Sequence, residues 1–145
     1  MKVSVKKMEF SHMPKTRFRG VMLLMLLAGC GLFETDNNYL RPEDFARQLT
    51  RDGLAVDAVR PLNPQPLSAA AAAEIKVGNS NIGVYKYDVN VKVQKARLER
   101  IKRSKKIFFN GIPYPVYEVS GSFIVVGLDK HKDKERILKS LRNFK

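Results

Sequence analysis

Apolar positions between residues 41 and 145 switch repeatedly between helical and strand spacing, and the switches divide the chain into elements. Over 41–53, Phe45, Ala46 and Leu49 fall on one helical face, Pro42 opens the turn, Glu43 and Asp44 sit where the helix dipole favours acids, and Gly53 follows the end. The spacing predicts a helix of about three turns. Residues 54–60 read as a short strand, after which Pro61, Pro64 and Pro66 impose an irregular link. Ser68 is placed to cap a brief helix over 69–73, where consecutive alanines offer a small-residue packing face.

Residues 74–77 and 81–87 flank Gly78-Asn79-Ser80 and predict a hairpin. Next, Tyr85, Tyr87, Val89, Val91 and Val93 alternate as in a long strand, whereas Val93, Ala96, Leu98 and Ile101 suit a helix that Asp88 or Asn90 can cap. The adopted reading is strand to about residue 88 and helix over 91–104. Residues 106–109 are extended up to Asn110-Gly111, a strong turn signal, and Pro113 with Pro115 puts the following piece at an edge. Around Ser120-Gly121, residues 116–119 and 122–128 form another hairpin, with Phe123–Val126 apolar on both faces and hence a central strand. Asp129 opens a last helix in which Ile137, Leu138, Leu141 and Phe144 recur at helical spacing. The expected fold is α+β: an antiparallel sheet of about five to six strands with helices packed mainly on one face.

Upstream, residues 21–28 form an apolar run preceded by Lys2, Lys6, Lys7, Lys15, Arg17 and Arg19 against a single acid, Glu9. This is the layout of a secretion signal, with a positive n-region and a short h-region. As a helix, residues 21–29 reach only about 13 Å, far short of a hydrocarbon core of roughly 30 Å. A spanning helix is therefore a poor alternative. The run ends in Leu27-Ala28-Gly29-Cys30, which resembles the bacterial lipobox. That resemblance implies a diacylglyceryl group on the Cys30 sulfur, cleavage by signal peptidase II between Gly29 and Cys30, and acylation of the new amino group. It covers residues 1–30 only. Met8 and Met13 also precede the apolar run, and a start at Met13 would leave a compact basic leader.

The organisation read from the chain is a signal peptide over 1–29, the lipidated cysteine and a tether over 30–40, and one domain over 41–145. A flexible ten-residue tether reaches roughly 15 to 19 Å, so the domain stays close to its membrane. Gly31 stands where an aspartate would signal inner-membrane retention in the enterobacterial sorting rule. By that resemblance the outer membrane is favoured in a cell with two membranes, and the outer face of the plasma membrane otherwise. The domain's run of elements also resembles the small uncharacterised lipoproteins of bacteria, a likeness of pattern that brings no activity with it.

Charge sharpens the picture. The 145 residues carry a net charge of +13. The leader holds six bases and one acid, so about +8 remains on residues 30–145. Cys30 is the chain's single cysteine, and lipidation leaves no thiol for a disulfide, a metal cluster or a nucleophile. The densest basic stretch is Lys92, Lys95, Arg97, Arg100, Lys102, Arg103, Lys105 and Lys106, interrupted only by Glu99. It suits a solvated helix face, or contact with anionic head groups or an acidic envelope partner. Nucleic acid is the usual target of such a patch, but export puts it largely out of reach.

Catalytic signals are sparse. His131 lies among lysines and is expected at the surface, with Asp129 and Asp133 as helix caps rather than metal or proton partners. Ser120 and Ser122 lack a nucleophile-elbow context. Glu99, Glu118 and Asp57 have no spacing that predicts convergence. No catalytic residue, metal or cofactor is assigned. The expectation is a lipid-anchored envelope protein acting as a non-enzymatic binding module. The alternatives are an envelope hydrolase using Asp and Glu, or an assembly chaperone similar in role to pilotin lipoproteins.

Overall fold

The computed structural model describes residues 37–145. Gly29, Cys30, the leader and the first part of the tether lie outside the described residues. The first helix, α1 (Pro42–Arg51), starts as its sequence dictates: proline occupies the first turn, and the Arg41 amide donates to Asp44 Oδ2 at 2.8 Å. Strand β1 (Val56–Pro61) follows, then a 3₁₀ turn (Gln65–Leu67), β2 (Ala71–Val77) and β3 (Ser80–Lys86). Helix α2 (Lys92–Ser104) leads into the hairpin strands β4 (Lys106–Phe109) and β5 (Ile112–Pro115). The chain closes with β6 (Val119–Ser120), β7 (Phe123–Val126) and α3 (Lys134–Arg142).

The main sheet has the order β1-β2-β3-β7-β6, with every neighbouring pair antiparallel, and β4-β5 forms a separate two-stranded sheet. Strands β3 and β7 are neighbours, so α2 and the β4–β5 hairpin are an excursion between two adjacent strands. Alternation along those strands builds a core on each face. Ile75, Val77, Ile82, Val84, Phe123 and Val125 point toward α1 and α3, and Phe144 closes that core with edge-to-face contacts to Phe45 (5.1 Å) and Phe123 (5.0 Å). On the opposite face, Ile124, Tyr85 and Val126 meet Leu98 and Ile101 of α2, Ile107 of β4, and Tyr87. The α+β fold and antiparallel sheet are as expected; two of the three helices share a face, and α2 covers part of the other.

Four local expectations are corrected. The alanine run is strand, not helix: Ala71, Ala72 and Ala73 pair with Lys86, Tyr85 and Val84. A five-residue helix lies far below the length at which an isolated helix is stable, and alanine's propensity is a weak prior once a hairpin can extend its ladder. The last helix begins at Lys134, not Asp129, because residues 128–134 turn first through His131 N–H to Leu128 O (3.2 Å) and Lys134 N–H to His131 O (3.1 Å). Strand β6 spans only Val119–Ser120, shorter than the expected 116–119 piece, while β7 pairs with β3 and β6 on its two edges, the interior position its apolar faces imply.

The fourth correction concerns the tether, whose last residues belong to the folded body. Asn37 is 0 % exposed, accepts the Ser122 amide (2.8 Å), and donates to the carbonyls of Ser120 (3.2 Å) and Phe144 (2.9 Å). Asn38 accepts the Ser122 hydroxyl (2.9 Å) and donates to Asp88 (2.9 Å).

Candidate functional site

Gln94 through Arg100 are nearly all strong helix formers, which makes α2 the most basic element and a locally well-specified one. Its start departs from expectation. Neither Asp88 nor Asn90 caps it; Val91 is the capping residue and uses no side-chain bond. The Asp88 carboxylate instead accepts the Asn90 amide (2.9 Å) and Asn38 Nδ2, while Gln94 Oε1 reaches back to the Asp88 amide (2.6 Å). Asn38 and then Asn90 stabilise the charged form, so the Asp88 carboxyl is held below the usual carboxylate range. At the other end Lys105 adopts a left-handed conformation (φ 55°) and donates its amide to Ile101 O at 2.8 Å, turning the chain directly into β4.

Helix α2 buries only Leu98 and Ile101. Lys92, Lys95, Arg100, Lys102, Arg103, Lys105 and Lys106 are all exposed. Arg97 is half-buried near Tyr87, whose phenol burial pushes up to about 12 against the opposing pull of the Arg97 charge. The three ion pairs among the described residues are Arg47–Asp44, Arg136–Asp133 and Arg142–Glu118, so none uses an α2 cation. The structure thus gathers all eight sequence-identified bases on one helix and the two residues that continue it, with Glu99 the one acid on the helix and no ion pair to any of them among the described residues.

Sequence reasoning missed the apolar side chains beside them. Val91 at the cap of α2 and Val93 on it are exposed, Val93 by 70 %, and so are Phe108, Phe109, Ile112 and Tyr114 on the β4–β5 hairpin. A signal for the hairpin was present. Adjacent aromatics on a strand point to opposite faces, so Phe108 and Phe109 cannot both face one core.

The remaining candidates are occupied structurally. His131 is buried (6 % exposed), correcting its expected surface position; its Nδ1 accepts the Asp133 amide (3.1 Å), while its Nε2 is buried with no hydrogen-bond partner among the described residues. Glu118 is engaged by Arg142 (2.7 Å) and Asp129 accepts the Tyr117 hydroxyl (2.5 Å). The Ser122 hydroxyl is spent on Asn38. Asp52 accepts Ser140 Oγ (2.5 Å) at the mouth of a shallow cavity of about 220 Å3 lined also by Leu54, Arg136, Lys139 and Asn143, so it is a lone carboxylate among cations. Among the described residues no group of three His, Cys, Asp or Glu is placed to hold a metal, and no helix is long and apolar enough to cross a membrane.

What the fold and this surface define is a small two-faced α+β domain with an exposed basic helix that makes no ion pair among the described residues. Compared with protein-family models, curated proteins and solved structures, the chain matches none.

Proposed function

We propose that the chain is a lipid-anchored envelope protein, attached through Cys30, whose domain is a non-enzymatic module that docks on an anionic surface through α2. The observation that carries this reading is that, among the described residues, no ion pair uses an α2 cation, with Lys92, Lys95, Arg100 and Arg103 all exposed. Cations kept free of intramolecular partners retain their full attraction for phosphate, worth up to about 1 kcal/mol per residue near an anionic leaflet. A domain held within a short tether of a bilayer meets such a surface continuously.

The hydrolase alternative draws less support, because the carboxylates flagged in the sequence are dispersed or already bonded. Sedimentation of the domain, freed of its anchor, with anionic and zwitterionic vesicles tests the docking. Binding confined to anionic vesicles and abolished by high salt is the expected result; equal binding to both would refute it.

A further inference from the structure

The β4–β5 hairpin carries large apolar side chains on both faces. Its register pairs Ile107 with Tyr114 and Phe109 with Ile112 on one face, and Phe108 with Pro113 on the other. Ile107, at the base, is buried on the α2 side of the sheet. Toward the tip exposure rises, from 37 % at Tyr114 to 56 % at Ile112, and Phe108 is 62 % exposed on the reverse face. No tilt of the hairpin about its base can bury both faces, so the tip is built to meet something outside the domain.

The free edge of β5 narrows what that is. Asn110 (φ 49°) and Gly111 (φ 78°) make a two-residue turn with both residues left-handed, which sets Phe109 opposite Ile112 as the first hydrogen-bonded pair. The amide positions of residues 113 and 115 then point away from β4, and both are proline. At those positions the edge has no N–H to offer, which blocks strand addition by another polypeptide. Along the β5 edge, recognition then runs through side chains: apolar at the tip, cationic at the base, where Lys105 and Lys106 join the hairpin to the last turn of α2. About 10 Å of strand separates Lys106 from the tip. That offset matches the 5–10 Å depth to which apolar groups enter the headgroup–acyl boundary while cations remain among the phosphates.

We propose that the β4–β5 tip is an interfacial wedge, inserting Phe108, Phe109 and Ile112 into an anionic bilayer while the cations of α2 and the hairpin base hold lipid phosphates. The wedge rests on the reading of α2 as an anionic-surface contact.

The chain contains no tryptophan, so a single Phe108→Trp substitution at this exposed site reports the tip alone. The full lipidated chain is reconstituted into vesicles containing phosphatidylglycerol, or phosphatidylcholine only, each with a lipid brominated high on its acyl chains. Val93→Trp reports α2, and Val59→Trp, on the far edge strand β1, is the control. The expected result is a blue shift and bromine quenching of Phe108→Trp in anionic vesicles, shielding of Val93→Trp from iodide in the same vesicles, and no change at Val59→Trp. An unquenched Phe108→Trp beside a shielded Val93→Trp overturns the wedge and leaves the docking reading standing. If neither responds to anionic lipid, the docking reading falls and takes the wedge with it. A blue shift that grows with protein concentration before vesicles are added would assign the tip to a second copy of the chain and overturn the lipid proposal.

Discussion

Asn37 uses its whole amide to join three distant places: the start of the folded body, the Ser120–Ser122 turn and the carbonyl of Phe144. Removing it by Asn37→Ala would leave buried backbone groups without partners, each costing about 1–3 kcal/mol. The expected loss is about 3 kcal/mol, read as a lower urea midpoint with an unchanged m-value. Nothing in the sequence marks this residue, because its partners lie 83 to 107 positions away. Asp88 sets a different kind of test. Its folded pKa is below the ordinary 3.8, chiefly through the Asn38 hydrogen bond. The stabilisation is therefore complete above that ordinary value and is lost as pH falls through the lower, folded one. Asp88→Asn should melt earlier than the parent near neutral pH, and the two melting curves should converge in strong acid. A gap that stayed constant on acidification would show that charge at Asp88 is not what the bonds exploit.

Among the elements, α2 separates stability from surface chemistry, since only Leu98 and Ile101 of the helix enter the core. Changing Lys92, Lys95, Arg100 and Arg103 to glutamine keeps good helix formers in place and should leave thermal unfolding nearly unchanged. At up to about 1 kcal/mol per cation, the partition onto anionic vesicles should fall by roughly 100- to 1,000-fold at low salt. Sedimentation at rising salt gives the same contrast, because the parent should lose its advantage as the Debye length shortens. The position of α2 was legible in advance because its charge and helix formers are properties of the local sequence. Three hairpin turns, at Gly78-Asn79, Asn110-Gly111 and Gly121-Ser122, were legible for the same reason. The alanine strand was not, since its conformation is set by pairing with β3 rather than by alanine itself. Nor was the start of α3: Asp129 and Asp133 are equivalent caps in the sequence, and the turn through the buried His131 chooses between them. The exposed hairpin tip was only partly legible: adjacent Phe108 and Phe109 show that one aromatic must leave the core, but not that both faces of the separate β4–β5 sheet stay uncovered there.

For the molecule as a whole, the attachment proposed at Cys30 can be tested separately from the folding of residues 37–145. The described body, residues 37–145, holds two cores on either side of one sheet, and the chain's single cysteine lies outside it at position 30. No disulfide or metal contributes cysteine chemistry to that body, so its stability rests on apolar burial and on buried bonds such as those of Asn37. Cys30→Ser should therefore leave the circular dichroism and melting temperature of the domain unchanged. In cells the same variant should lose lipid labelling and shift from the membrane fraction to a released or unprocessed form. Loss of two-state unfolding would mean that Cys30 is part of the fold rather than its anchor. Retention at the membrane without lipid would point instead to the wedge and basic helix, and combining Cys30→Ser with the four α2 glutamines would then release the protein.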